Sequence, residues 1–75
     1  MKELHYISKN ECLVIDIVKN DEYGWDIDLK MFPTTALTGA YNDFDKLVED
    51  IKPFVLMNMD ETERVEFAEK INGVL

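Results

Sequence analysis

The chain has 75 residues, one cysteine, one histidine and a formal net charge of −8, from 16 acidic against 8 basic residues. A lone cysteine excludes an intrachain disulfide framework, and with a lone histidine it excludes a four-ligand zinc site of the Cys/His kind. The carboxylate surplus repels phosphate backbones and anionic lipid, which argues against direct nucleic-acid or membrane binding, while a hydrophobic fraction of 47% is too high for a disordered chain.

A chain of this length is one domain near the lower limit for an unaided core, so its stability has to come from packing. A homodimer would be one way to add to it. No apolar run approaches the roughly 20 residues of a membrane-spanning helix. The first residues, "MKELHYISKNE", lack the apolar stretch of a signal peptide, so the expected compartment is a reducing cytoplasm.

In chain order, "LHYI" (4–7) reads as a short edge strand with "SKN" as its turn. "CLVIDIV" (12–18) is rich in Val and Ile, the β-branched residues of a strand. In "WDIDLKMF" (25–32), Trp25, Ile27, Leu29 and Met31 alternate with Asp26, Asp28 and Lys30, which is the period of a half-buried strand. "KNDEYG" between them holds Asn, Asp and Gly, residues suited to a tight turn, so the two tracts form a β-hairpin. Pro33 has no N–H for a ladder and ends the second of them. "TTALTGAY" (34–41) then reads as a further strand bounded by Asn42.

The helical half follows. Phe44, Leu47, Val48, Ile51, Phe54 and Val55 recur at helical spacing and form one apolar stripe. Asn42 or Asp43 is placed to cap it, and Pro53 is expected to stop or kink it. A second helix is expected from Asp60, with Glu63 completing a capping box, Val65, Phe67, Ala68 and Ile71 facing inward, and Gly73 at its end. Met57 and Met59, between the helices, suit irregular gaps in the core. The fold class is therefore α+β: a small antiparallel sheet of two to four strands around a central β-hairpin, followed by two C-terminal helices.

Parity carries the argument from fold to chemistry. For Leu13, Ile15 and Ile17 to share a face with Trp25, Ile27, Leu29 and Met31, the paired residue numbers must differ by an even amount, as a three- or five-residue loop provides. Asp16 then lies on the opposite face, across from Asp26 or Asp28, and three carboxylates share one surface with only Lys30 to relieve them. A flat sheet face encloses a metal ion poorly, and no calcium-loop spacing occurs. His5 has no identifiable nucleophile beside it, and nothing basic stands near Cys12 to activate its thiol. Neither a catalytic motif nor a cofactor is implied. Trp25 on the core face reads as packing, whereas Tyr23 at the hairpin tip is placed to be exposed.

A solvated acidic surface is the plain reading of these charges, and a surface for a basic protein partner is the sharper one. The candidate contact residues are Asp16, Asp26 and Asp28 on the hairpin, Asp21, Glu22 and Tyr23 at its tip, and Glu49, Asp50, Glu63 and Glu66 on the helices. With acidic tracts "DIDLK", "NDFDKLVED" and "DETERVEFAE", the chain resembles the small acidic inhibitors of phages and mobile elements, which include anti-CRISPR and anti-restriction proteins. That resemblance implies an inhibitor that occupies the nucleic-acid site of a nuclease or another nucleic-acid-binding protein, with carboxylates standing where phosphates would lie. "YGWDIDL" followed by "GAYNDFDKLVEDI" also resembles the element order of antitoxins of the HicB type, without the Pro-Gly-Cys signature after their second strand. This implies an antitoxin- or immunity-like interaction domain whose acidity serves only solubility.

Overall fold

A four-stranded antiparallel meander carries two helices on one of its faces, in a computed structural model that describes residues 2–75. The strands are β1 (Glu3–Ile7), β2 (Leu13–Asn20), β3 (Gly24–Met31) and β4 (Thr34–Tyr41), and they lie side by side in chain order. The helices are α1 (Phe44–Asn58) and α2 (Glu61–Asn72). All four expected strands are present, and the Val- and Ile-rich β2 lies inside the sheet rather than at an edge.

β2 and β3 join through a three-residue connection, because Asn20 pairs with Gly24. Gly24 is required there: its φ is 130°, and a Cβ would come 2.2 Å from the carbonyl oxygen of Tyr41. The resulting register pairs Ile15 with Leu29 and Ile17 with Ile27. On β1, Leu4 and Tyr6 join the same face through their partners Ile17 and Ile15. The connection between β3 and β4 contains Pro33, preceded by a cis peptide bond. Pairing between these strands shifts by one residue after Leu29, which leaves Ala36 as the extra residue of a bulge.

Leu13, Ile15, Ile17, Leu29 and Leu47 are fully buried, and Tyr6, Ile27, Phe44, Ile51, Met59, Phe67, Ile71 and Val74 complete the core. Trp25 tilts onto Phe44 with ring centroids 5.1 Å apart, at the end of the sheet where α1 begins. Asp43 is the cap of α1, accepting the N–H of Asp45. Of the two outcomes expected from the missing donor of Pro53, a stop does not occur, and the helix runs on through the proline to Asn58. Pro53 and Glu49, whose carbonyl lost that partner, are both exposed, so water can satisfy the freed group. Beyond the proline, Phe54 and Val55 still pack against the core, and that burial continues the helix to Asn58.

Asp60 caps α2 by accepting the Glu63 N–H at 2.8 Å. The reciprocal half of the capping box is not made, because the Glu63 carboxylate turns into the protein. There it accepts the Tyr6 hydroxyl at 2.6 Å and the Lys9 backbone N–H at 2.8 Å. Phe67, one turn on, meets the Tyr6 ring edge-on at 5.0 Å. These contacts rotate α2 so that Glu63, Phe67 and Ile71 face inward. Val65 and Ala68, expected in the core, are consequently exposed, Val65 at 58%. Met57 is likewise outside, at 69%, and only Met59 fills the gap between the helices.

After α2 the chain returns to the sheet. Val74 is buried, the Trp25 indole donates to its carbonyl at 2.6 Å, and Lys19 reaches the Leu75 carbonyl at 3.0 Å. Gly73 ends the helix with a right-handed φ of −67°, so no left-handed cap is used.

Leu47 touches the sheet from the middle of the α1 stripe and is wholly buried. Leu47→Ala should cost about 2–5 kcal/mol, most of the reserve of so small a domain. Thermal denaturation should show the variant largely unfolded at physiological temperature, and cooperative melting near the wild-type midpoint would refute this placement of Leu47.

Candidate functional site

The sheet face away from the helices carries the residues between the core positions. Cross-strand pairing arranges them in three rows: Glu3, Val18, Asp26 and Ala40 nearest the β2–β3 tip, then His5, Asp16, Asp28 and Thr38, then Ile7, Val14, Lys30 and Thr35. Asp16 and Asp28 are direct partners across β2 and β3, and Asp26 follows on the same face two residues along β3. Ideal strand spacings separate such groups by about 4.8 Å across strands and roughly 7 Å along one. Three aspartates are thus concentrated at the centre of the sheet face away from the helices, as parity required.

Each aspartate has a different neighbour. Asp16 pairs with the Nδ1 of His5 across β1 and β2, with the two side chains 44% and 63% exposed. Asp26 accepts the Tyr23 hydroxyl at 2.5 Å, which bends the ring of the hairpin tip back toward the sheet and raises the tyrosine's pKa. Asp28 lies 4.0 Å from the Lys30 ammonium through one oxygen, while its other oxygen is shielded from solvent with no hydrogen-bond partner. The strand partner of Asp28 is another carboxylate, Asp16.

His5 was not placed at this site by the sequence argument. The signal was present: with Leu4 and Tyr6 inward, alternation puts His5 outward and its partner on β2 is Asp16. A His–Asp pair orients an imidazole, but the neighbours of His5 on this face are Glu3, Ile7 and Asp16, which include no hydroxyl or thiol nucleophile. Among the described residues, no three His, Cys, Asp or Glu side chains are arranged to hold a metal ion.

Asp21 and Glu22 are exposed in the three-residue turn and continue the acidic surface past Asp26, with Tyr23 beside them at 44% exposure. The helical candidates divide. Glu63 is 2% exposed and holds β1 to α2, so it is a core residue and not a contact residue. Asp50 accepts the Tyr41 hydroxyl at 2.7 Å and lies 3.3 Å from the Lys46 ammonium. Those contacts, Tyr41 first, hold its carboxyl below the usual range. Glu66 lies 3.5 Å from Lys9, and Glu49 is exposed on α1 with no ion pair among the described residues.

Two tyrosines report on these carboxylates. Burial, followed by the bond to Glu63, pushes the Tyr6 hydroxyl well above its ordinary range, and the Asp50 bond pushes Tyr41 up to about 12. Each keeps its proton in the fold at a pH where the unfolded chain has lost it, so its stabilising contribution is full below about pH 10 and disappears as pH rises through the folded value. The melting temperature should therefore fall steeply between about pH 10 and pH 12, and less steeply in Tyr41→Phe. Equal slopes in the two proteins would exclude Tyr41 as the titrating group. A second expectation concerns the acidic face: Asp28→Asn removes a like charge opposite Asp16 and turns the orphaned oxygen into an amide that can donate. The variant should be more stable by up to about 1 kcal/mol in denaturant titration, and a clear loss of stability would show that the carboxylate has an attractive partner.

No protein-family model matches the chain, and no match was found among curated proteins or solved structures.

Proposed function

We propose that the chain is a protein-binding inhibitor of a nucleic-acid-processing enzyme, and that it occupies the enzyme's basic groove with the acidic face of its sheet. The observation that carries this reading is the cluster of Asp16, Asp26 and Asp28 on the sheet face away from the helices, with Glu3 on the same face and Asp21 and Glu22 at the hairpin tip. Like charges on paired strands cost stability, and Thr or Lys would fill the same positions without that cost. Keeping the carboxylates there is consistent with a surface selected for a partner. Lysines and arginines that would otherwise bind phosphates supply the complementary field, which steers encounter and pairs with the carboxylates on contact. In this reading Glu63 and Asp50 have structural duties, and the partner contact falls to the hairpin face, while Glu49 and Glu66 lie on the helices.

An antitoxin- or immunity-like interaction domain is the second reading. It is favoured by one specific observation: Leu56, Met57 and Val65 are exposed on the helix pair, not on the acidic face. There the contact would be apolar and the acidity would serve solubility. Neither reading requires a membrane, and no helix among the described residues is long and apolar enough to cross one.

The discriminating experiment changes Asp16, Asp26 and Asp28 together to Asn and titrates wild type and variant against the enzyme that the wild-type chain retains from host extract. The measurements are made at two salt concentrations, with and without nucleic acid. Acidic mimicry expects the triple variant to bind far more weakly, its remaining affinity to depend less on salt, and nucleic acid to compete with the wild type for the enzyme. Unchanged affinity, or simultaneous binding of nucleic acid, would rule mimicry out.

A further inference from the structure

The outer side of the helix pair carries an apolar surface that the core leaves unfilled. Between α1 and α2 runs a groove of about 300 Å³, lined by Val48, Val55, Leu56 and Ala68 and flanked by Lys52 and Arg64. Leu56, Met57 and Val65 stand at or beside it with 47%, 69% and 58% of their surface in solvent. Arg64 is the sole arginine in the sequence. Its Nε donates to the Met59 carbonyl at 3.0 Å, which ties it to the α1–α2 connection and leaves the rest of the guanidinium fork unused. Neither Arg64 nor Lys52 has a carboxylate within ion-pair distance among the described residues. In a chain with twice as many acids as bases, two unpaired cations beside an apolar groove describe an occupant that is apolar at its centre and acidic at its edges.

The chain's own α2 has that chemistry. Val65 is exposed with Glu61 one turn before it and Glu69 one turn after, so an apolar side chain stands between two carboxylates on one stripe of the helix. The same patch therefore holds both an acidic-flanked apolar projection and a cation-flanked apolar groove. Such self-complementarity is what a two-fold interface requires, since each copy must present both halves. We propose that the outer side of the α1–α2 pair is a homodimer interface, in which Val65 of each copy enters the groove of the other while Glu61 and Glu69 meet the other copy's Lys52 and Arg64. An interface of standard size takes about 800 Å² from each partner, roughly one-sixth of the 4811 Å² surface. The groove alone is too small for that, and Leu56 and Met57 extend the contact to its margins. On this side two copies bring opposite charges together, whereas self-pairing of the sheet face would set Asp16, Asp26 and Asp28 against the same carboxylates.

The interface does not depend on the acidic sheet face, which lies on the other side of the sheet, so the inhibitor reading and the dimer can fail separately. The test is sedimentation equilibrium of the full chain from low micromolar to millimolar concentration, with circular dichroism and melting to confirm that each variant folds. The wild type should form dimers as concentration rises. Val65→Glu places a carboxylate in the partner's groove and should raise the dissociation constant at least about thirtyfold. The double variants K52E/R64E and E61K/E69K should each be monomeric alone, because each turns attraction into repulsion, and should form a heterodimer when mixed. Rising salt should weaken the wild-type dimer. A wild type that stays monomeric throughout, a dimer indifferent to Val65→Glu, or two charge-reversed variants that fail to pair on mixing would overturn the proposal. A copurifying lipid found in the groove of a monomeric protein would do the same.

Discussion

A slip of one residue between β2 and β3 would turn one strand over against the other. On β3 it would carry Ile27 and Leu29 to water and bring Asp26 and Asp28 under the helices; on β2 it would carry Ile15 and Ile17 to water and bring Asp16 under them. Both the core and the acidic face depend on its not occurring. The three-residue turn and Gly24, which no residue with a Cβ could replace beneath the Tyr41 carbonyl, hold the register at the tip. Burial of the inward set holds it along the strands. The carboxylates are thus assembled by the force that buries the aliphatic residues between them, and their mutual repulsion is tolerated because relieving it would expose the core.

The second constraint joins the ends of the chain order. Glu63 is a carboxylate almost wholly out of solvent, and it is accommodated because Tyr6 and the Lys9 backbone both donate to it. A buried carboxylate left without donors is costly, so once Glu63 turns inward the position of α2 relative to β1 is strongly specified. Directionality matters here in a way that apolar contact alone does not supply. Phe67 and Ile71 would tolerate a small rotation of the helix, whereas two hydrogen bonds of 2.6 and 2.8 Å would not. The consequence appears on the far side of the same helix, where Val65 and Ala68 are turned outward.

Charge is divided among three kinds of work. Glu63 and Asp50 accept hydrogen bonds that tie elements together; Asp43 and Asp60 cap helices. The carboxylates of the open sheet face do neither, apart from the partnerships of Asp16 with His5 and Asp26 with Tyr23. Cations are divided as well: Lys46 and Lys9 answer carboxylates on the helices, Lys2 and Lys19 reach the Leu75 carbonyl, and Lys52 and Arg64 are left beside the apolar groove. The molecule consequently presents two unlike surfaces, one acidic on the sheet and one apolar with bare cations on the helix pair.

Periodicity in the sequence by itself determined the strands, the hairpin parity, the acidic face and the stripe of α1, because each follows from local alternation and from turn and capping residues a few positions away. The triple of Asp16, Asp26 and Asp28 was legible for the same reason, since parity alone puts them on one side. Three features were decided only by tertiary structure. The continuation of α1 past Pro53 depends on solvent at Glu49 and on the burial of Phe54 and Val55. The facing of α2 depends on Tyr6 and Lys9, more than fifty residues away, because its weak apolar pattern allowed more than one inward face. The return of Val74 to the core depends on the Trp25 indole, whose partner carbonyl no local pattern marks. Local spacing cannot encode a donor brought in from another element, and that is why the face of α2, and with it the groove beside Arg64, became visible only in the folded chain.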